Sequence, residues 1–207
     1  MLKTVQKARS NSYIYFLTGD ESWFYLQSVH DLIWLQRDEE PPVKEKKMID
    51  SPKMMLTVFW NPEGFLISNV LPPHQKFNSE YFINQILQPI YEKLSSKAEY
   101  FRKTITLHFD NSKVHTSGKV QEYMNSHNMK RAVEPPYLPD IAPSEFFLFG
   151  YLKEILKGSK FETPEELKNA INVILISIPP DLLNSVFLKW EVKLQMVIDA
   201  NGNYLEE

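Results

Sequence analysis

The sequence predicts an α/β domain in which a mixed sheet of about five strands carries helices on its faces. Its 207 residues, 43% of them hydrophobic, are enough for one compact domain with its own core. Strand-like and helix-like patterns follow one another as a strand, a hairpin, a helix, a strand, a helix, a strand and then helices. With 14 prolines against 6 glycines, most turns are marked by proline. We therefore interpret residues 1–207 as a single domain.

Five segments have the composition of β-strands. The first is rich in β-branched and aromatic residues, and it is expected to end at a turn formed by Gly19 and Asp20. The second and third are expected to form a hairpin around the turn at residues 61–64. Two further strands should follow, one on each side of a short helix. The predicted strands are 12–18, 54–60, 64–71, 103–109 and 130–134.

Five segments have the apolar spacing or the start signals of helices. The first is expected to begin at Asn78 or Ser79 and to be kinked by Pro89. Thr163 is followed by a proline and, three residues after it, by a glutamate, a pattern that predicts a helix start. The remaining helices are expected at 113–126, from residue 144 onward and at 181–200.

The composition excludes several kinds of site. There is no cysteine, which excludes a disulfide framework, a thiolate zinc site and a cysteine nucleophile, and which agrees with a reducing intracellular compartment. The amino terminus lacks the apolar run of a signal peptide, and no stretch approaches the roughly 20 apolar residues of a membrane helix. The formal net charge of -3 is unusual for a free-standing nucleic-acid binder. We expect a soluble intracellular protein with no membrane partner.

Three acidic residues are expected to meet at one edge of the predicted sheet. Asp20 follows the first strand, Asp110 follows the fourth, and Glu145 opens a helix after a proline-rich loop. If the two strands are neighbours, their carboxyl ends bring Asp20 and Asp110 side by side. Like charges a few ångströms apart repel, so such a cluster calls for a divalent cation. Oxygen ligands favour Mg²⁺ or Mn²⁺, and a pair of these ions can activate water and stabilise the leaving oxygen of a phosphodiester.

Each of these residues also has a purely structural interpretation. Asp20 after a glycine can be an ordinary turn residue, and Asp110 can cap the helix that follows it. Glu145 lies where the helix dipole favours any acid. His108 and His115, on either side of Asp110, are more often packed or hydrogen-bonded side chains than ligands.

Two further features are given structural interpretations. Trp23, Trp34 and Trp60 are expected to belong to the core rather than to a base-stacking surface. Residues 36–52 combine mixed charges with two adjacent prolines and almost no apolar side chains, which predicts an exposed loop. The length of this loop indicates a functional role.

Four short motifs together resemble the catalytic domain of mariner-type transposases. The proline-rich third motif is specific, and the likeness extends over about residues 12–205. The 34 residues between Asp110 and Glu145 match the spacing that mariner elements use. Mariner elements usually carry Asp where this chain has Glu145, but glutamate remains a competent metal ligand. The motifs are TGDESW at 18–23, HFDNS at 108–112 with His115 beyond it, PPYLPDIAPSE at 135–145 and DANGNY at 199–204.

The resemblance implies an RNase H-like fold with a catalytic triad of Asp20, Asp110 and Glu145 that binds two Mg²⁺ or Mn²⁺ ions. It implies a DNA transposase that hydrolyses phosphodiesters at transposon ends and joins the freed 3′-hydroxyl groups to target DNA. Asn111 and His115 are expected to contact the nucleic acid.

The resemblance also has implications for partners and location. The loop at 36–52 lies where the family's clamp loop reaches the partner subunit, so a homodimer is expected. Family members carry helix-turn-helix modules ahead of this region, and residues 1–207 do not contain them. A DNA transposase would work in the nucleus of a eukaryote, or in the cytoplasm or nucleoid of a bacterium.

Two other functions stay open at this point. A domesticated or degenerate relative could keep the fold as a DNA-binding or interaction module without catalysis, which would agree with the negative net charge. A plain RNase H-like nuclease would cut RNA/DNA hybrids in preference to duplex DNA. Metal binding that depends on Glu145 separates the transposase from the module, and a preference for hybrid cleavage would identify the nuclease.

Overall fold

The fold is taken from a computed structural model that describes residues 1–27, 52–96, 103–133 and 141–200. Trp34 and, apart from Pro52, the predicted loop at 36–52 lie outside the described residues. Most of the proline-rich motif lies outside them too. The four described ranges contain all the elements discussed below.

Within the described residues, five strands form one mixed sheet. They are β1 (Phe16–Tyr25), β2 (Lys53–Asn61), β3 (Gly64–Val70), β4 (Ile105–Phe109) and β5 (Met129–Val133). Their order across the sheet is β3, β2, β1, β4, β5. β1 is antiparallel to β2 and parallel to β4, β2 and β3 form an antiparallel hairpin, and β5 is parallel to β4. The predicted mixed sheet and the predicted hairpin are confirmed.

The first strand differs from its prediction at both ends. Residues 12–15 form turns rather than the beginning of a strand. Gly19 and Asp20 do not form a turn, because β1 runs straight through them. The glycine has a packing reason instead, since a Cβ atom at Gly19 would collide with the ring of Phe59 on β2. The prediction that a strand ends at Asp20 was therefore wrong.

Helices cover both faces of the sheet. They are α1 (Leu2–Arg9), α2 (Ser79–Phe82), α3 (Gln88–Ser95), α4 (Gly118–Ser126), α5 (Gly150–Ile155), α6 (Pro164–Ser177) and α7 (Pro180–Asp199). α2, α3 and α4 pack on one face, and α1, α5, α6 and α7 pack on the other. Among the described helices, none is long and apolar enough on its own to cross a membrane, and α6 with α7 meets that criterion only as a pair bent by 83°.

Aromatic side chains form much of the two cores. Phe59, Phe82 and Phe109 contact one another on the face beneath α2, α3 and α4. On the other face, Trp60 and Trp190 both contact Phe187 of α7. Because both faces are buried in this way, the parallel strands in the middle of the sheet are shielded from water, as in other α/β domains.

The predicted helices are present, with two differences. Asn78 and Thr163 cap α2 and α6 with their side chains, as the sequence predicted. The helix predicted from residue 113 begins at Gly118 instead, because Ser117 is its N-cap and the residues before it form turns. α1 was not predicted, since a helix that buries only one residue leaves almost no apolar periodicity.

Two of the helical regions contain a π-helical segment. One, Ile83–Leu87, lies between α2 and α3 and ends just before Pro89. Its wider turns leave room for a proline ring, which in a regular helix clashes with the carbonyl group four residues earlier. The other, Ser144–Phe149, leads into α5 and carries Glu145. π-helical segments are frequent at functional sites.

Candidate active site

Two of the predicted site residues lie at the same edge of the sheet, one within β1 and one just after the end of β4. The ladder between β1 and β4 ends with the pair of Thr18 and His108. Asp20 and Asp110 each lie two residues beyond that pair, and the charge of Asp110 acts on Asp20. β4 stops at Phe109, and Asp110 enters a loop. Asp20 thus lies inside β1, at the point where its neighbouring strand ends.

Glu145 approaches this point from the helix side. The π-helical segment Ser144–Phe149 packs against β1. Its first residue is tied to the sheet, because Nε1 of Trp60 donates a hydrogen bond to Oγ of Ser144 at 3.3 Å. The side chain of Glu145 is exposed. The third predicted acid therefore begins a helix that is anchored beside Asp20, with a side chain that is free to turn.

The three carboxyl groups influence one another through their charges. Burial, followed by the charge of the adjacent Glu21, raises the pKa of Asp20 to about 8. The charges of Glu145 and Asp110 act in the same direction. Burial also raises the pKa of Glu145, an effect that Lys153 opposes and Asp110 strengthens. Burial is the main cause of both raised pKa values, and the charges of the neighbouring carboxyl groups add to it.

The carboxylates are not arranged as a finished metal site. The described residues contain no group of three or more His, Cys, Asp or Glu side chains that could hold a metal ion as they stand. Two of the oxygens already accept hydrogen bonds: Oδ1 of Asp20 from the backbone N–H of Glu21 at 2.7 Å, and Oδ1 of Asp110 from that of Ser112 at 3.1 Å.

His115 is buried between two acids. Its Nδ1 lies 2.6 Å from Oδ1 of Asp110, and its Nε2 lies 3.5 Å from Oε2 of Glu21. Burial alone would lower the pKa of His115, but the hydrogen bonds with Asp110 and Glu21 raise it to about 9. Burial would raise the pKa of Asp110, but its bonds with His115 and Ser112 lower it. Only 1% of the His115 side chain is exposed, and both of its ring nitrogens face these acids. The contact of His115 with nucleic acid stays a prediction.

Arg131 on β5 holds the loop that carries Asp110. Its Nη2 donates hydrogen bonds to the carbonyl oxygen of Asp110 at 2.7 Å and to Oδ1 of Asn111 at 2.5 Å. Its guanidinium group also lies 5.1 Å from the centre of the Phe109 ring. Asn111, the other predicted nucleic-acid contact, is exposed. The sequence analysis missed Arg131, because one arginine in a short strand gives no signal of its own.

Lys153 is a second residue that the sequence analysis missed. It lies on α5, and its Nζ donates a hydrogen bond to Oγ of Ser22 on β1 at 2.9 Å. The same ammonium group is 5.6 Å from the centre of the Phe24 ring. Because its charge lowers the pKa of Glu145, it is the described cation that acts on the third acid. Lys153 lies eight residues after Glu145 on a continuous helix, and this spacing is a weak sequence signal that the two side chains belong to one site.

The tryptophan prediction was right for one residue and wrong for another. Trp60 is fully buried, as expected, whereas 45% of Trp23 is exposed. Trp23 lines a cleft of about 470 Å³ together with Lys53 and His74. Nζ of Lys53 lies 4.6 Å from the centre of the Trp23 ring, and such a cation–π contact suits an exposed aromatic side chain. Trp34 lies outside the described residues.

Comparisons with known proteins agree with this architecture. A protein-family model described as DDE superfamily endonuclease matches residues 15–168. The human (Homo sapiens) histone-lysine N-methyltransferase SETMAR is 26% identical over 201 residues, which are 92% of this chain and 28% of that protein. The mariner Mos1 transposase of Drosophila mauritiana is 22% identical over 194 residues, which are 92% of this chain and 56% of that protein. The chain thus spans less than two thirds of the length of either relative.

Solved structures show the same fold. A pre-cleavage Mos1 transpososome superimposes with a TM-score of 0.87 at 20% identity, over 99% of this chain and 61% of that one. The catalytic domain of Mos1 mariner transposase gives a TM-score of 0.75 at 19% identity, over 99% of this chain and 91% of that one. The mixed sheet of five strands with helices on both faces is therefore RNase H-like, as the resemblance implied. Because the family match runs from ahead of Asp20 to beyond Glu145, the chain belongs to the DDE superfamily endonucleases.

Proposed function

We propose that this domain cuts DNA at the ends of a mobile element and joins the freed 3′-hydroxyl groups to target DNA. The observation that carries the proposal is that Asp20 and Asp110 each lie two residues beyond the last pair of the parallel strands β1 and β4, with Glu145 on the helical segment that packs against β1. Membership of an endonuclease family supports the chemistry. We assign Asp20, Asp110 and Glu145 as the catalytic residues and as the ligands of a divalent cation.

The residues of this site fit Mg²⁺ or Mn²⁺. They offer carboxylate oxygens, which both ions prefer. Burial raises the pKa of Asp20, and the charges of Glu21, Glu145 and Asp110 raise it as well. Among the described residues, the buried Oε1 of Glu21 has no hydrogen-bond partner. Mos1 paired-end complexes have been solved with Mn and with Mg, which supports the same choice here. When bound, two such ions lower the pKa of the attacking water and stabilise the leaving oxygen.

The other residues of the site position these ligands. The hydrogen bond with His115 fixes Oδ1 of Asp110, and the other carboxylate oxygen takes no part in that bond. Arg131 holds the carbonyl group of the same residue. Lys153 brings a positive charge close to Glu145, where it would attract a phosphate group and keep the carboxylate ionised. His115 and Arg131 thus act on a ligand rather than on the reacting atoms.

Cutting and joining are chemically equivalent, so one site can perform both. In the first step, water attacks a phosphorus atom at the element's end, the bond to the 3′ oxygen breaks, and that oxygen leaves as a 3′-hydroxyl group. In the second step, this hydroxyl attacks a phosphorus atom of the target DNA and displaces another 3′ oxygen. Each step exchanges one oxygen for another at phosphorus, so no covalent intermediate with the protein is needed.

The partners follow from the same proposal. They are the DNA ends of the element, the target DNA and a second copy of the chain, since some of the solved Mos1 complexes contain paired ends. Residues 1–207 would act as one catalytic domain. The protein would then work where DNA is found, in the nucleus of a eukaryote or in the nucleoid or cytoplasm of a bacterium.

A plasmid nicking assay tests the proposal. The protein should nick supercoiled plasmid in the presence of Mn²⁺ or Mg²⁺, and Asp110→Ala should lose this activity. Asp181→Ala, which removes an exposed acid in the first turn of α7, is the matched control and should nick like the unaltered protein. Equal nicking by Asp110→Ala and the control, at equal folded content by circular dichroism, would refute the catalytic assignment.

The second candidate is a DNA-binding or interaction module without catalysis. Two observations favour it: the net charge of -3 and the absence, among the described residues, of three acids already placed to hold a metal. Calorimetric titration with Mn²⁺ separates it from the enzyme. Binding heat that disappears in Glu145→Gln supports catalysis, and heat that is absent from both proteins supports the module.

A further inference from the structure

A basic cleft lies on the sheet at the end opposite the three acids. It encloses about 490 Å³ between α1 and the first residues of β4 and β5. Its floor is formed by Phe16, Thr106 and Lys130, which are side by side in register on β1, β4 and β5. Lys3 and Lys7 line its wall from α1. The cleft therefore belongs to the folded sheet rather than to a loop.

The charges around the cleft are of one sign. Lys3, Lys7 and Lys130 are exposed, and the described residues that line the cleft include no aspartate or glutamate. A fourth cation is close by, since Nζ of Lys103 lies 5.9 Å from the centre of the ring of Tyr15, which also lines the cleft. In a chain whose net charge is -3, this concentration of lysines is a local feature. A cleft of this kind attracts polyanions.

Neutral polar groups complete the lining. Thr106 and Asn11 add a hydroxyl and an amide group, and such groups donate hydrogen bonds to phosphate oxygens in many protein–DNA complexes. Lys3 and Lys7 are one helical turn apart, and four residues of α-helix rise about 6 Å. Two nucleotide steps along one strand of DNA rise about 7 Å. The rise between the two lysines therefore matches that between phosphates two steps apart on one strand.

The wall of the cleft is held rigidly. Val5 of α1 is fully buried in the core. Nη1 of Arg9 lies 3.4 Å from Oε2 of Glu191 on α7, and the hydroxyl of Tyr13 donates a hydrogen bond to the same carboxyl group. These contacts fix the backbone of α1 against α7. The lysines thus extend from a fixed backbone.

The cleft and the acids are separate sites at opposite ends of the sheet. Along β4, side chains alternate so that Thr106 and His108 point to the same face. Thr106 lines the cleft, His108 lies beneath Trp190 of α7 with ring centres 4.7 Å apart, and Asp110 belongs to the candidate active site. Four residues of strand span about 13 Å. The helix α7 therefore separates the two sites.

We propose that this cleft binds the phosphate backbone of duplex DNA outside the segment that is cut. Lys3, Lys7 and Lys130 supply affinity that does not depend on DNA sequence, and the hydroxyl and amide groups orient the DNA backbone. The partner is duplex DNA because the chain belongs to a family of endonucleases. The inference uses that membership but not the catalytic assignment, so it stands or falls separately.

The test measures DNA binding without any divalent cation. Fluorescence anisotropy with a duplex of about 30 base pairs, chosen to cover both sites, gives the DNA-binding constant. It is measured at salt concentrations between about 50 and 200 mM. The cleft variant carries Lys3→Gln, Lys7→Gln and Lys130→Gln. The control carries Lys119→Gln, Lys157→Gln and Lys189→Gln, which remove the same charge from exposed positions outside the cleft.

Each phosphate contact contributes about 0.9 to the slope of log K against log salt concentration. The cleft variant should therefore have a slope shallower by about 2.7 than the unaltered protein, whereas the control should keep the original slope. Equal slopes for the two triple variants would overturn the proposal. All three proteins should have the same melting temperature, because the substituted lysines are exposed. Since no cation is present, the result is independent of whether the protein cuts DNA.

Discussion

Replacing Gly19 with alanine should force the ring of Phe59 out of its place. A Cβ atom at residue 19 would overlap three atoms of that ring. Phe59 cannot move freely, because it is fully buried and contacts Phe82 and Phe109. Overpacking of a core costs about 1–3 kcal/mol. For a domain of this size each kcal/mol corresponds to about 2–4 °C in melting temperature, so Gly19→Ala should melt about 2–12 °C lower.

Thermal unfolding followed by circular dichroism measures this effect. Gly150→Ala is the matched control, because a Cβ atom there meets nothing within 4 Å and the residue lies in α5. This control should be neutral or stabilising by up to about 1 kcal/mol. Adding Phe59→Leu to Gly19→Ala should cost less than the sum of the two single changes, since the smaller side chain leaves the space that Cβ needs. Strict additivity, or an unchanged melting temperature for Gly19→Ala, would refute the packing explanation.

Three further predictions concern buried or charged groups. Burial lowers the pKa of His108 to about 3, so below the usual histidine pKa of about 6.5 the unfolded chain binds one more proton than the folded chain. The free energy of unfolding should therefore fall by up to about 1.4 kcal/mol per pH unit on acidification. Urea unfolding should give a flatter pH profile for His108→Gln than for the unaltered protein, and identical profiles would contradict this. Lys153→Gln should raise the pKa of Glu145 further, because it removes the charge that lowers it. Mn²⁺ binding, measured by calorimetry, should therefore require a higher pH in Lys153→Gln than in Lys153→Arg. Equal pH dependence of the two variants would contradict this role of Lys153. Tyr13→Phe removes the hydroxyl that donates a hydrogen bond to the buried carboxyl group of Glu191. The free energy of unfolding, measured in urea, should fall by about 1–3 kcal/mol. An unchanged urea midpoint would show that this hydrogen bond does not stabilise the fold.

Local signals in the sequence were sufficient for most elements of the fold. The hairpin and the capped helices could be predicted because a turn at residues 61–64 and the side chains of Asn78 and Thr163 act within a few residues. The full extent of β1 could not, because Gly19 looks like a turn residue until Phe59 is known to lie against it. The order of the strands also depends on pairing between distant segments, which periodicity does not encode.

In the candidate site, too, the sequence indicated some residues and not others. Asp20, Asp110 and Glu145 were found through motifs, and their catalytic role stays a prediction. The residues that position them act across long sequence separations, such as the bond from Lys153 to Ser22, which are 131 residues apart. Contacts of this kind leave no trace in a single sequence, so only the folded chain reveals them.

The position of Asp20 inside β1 limits how this domain can change its length. Successive side chains of a strand point to opposite faces, so inserting or deleting one residue between Thr18 and Asp20 would turn Asp20 away from Asp110 and exchange every later side chain between the two cores. Loops that connect the elements can gain or lose residues without this effect. Evolution and protein engineering can therefore substitute residues in β1 but can vary the chain's length only in the connections around it.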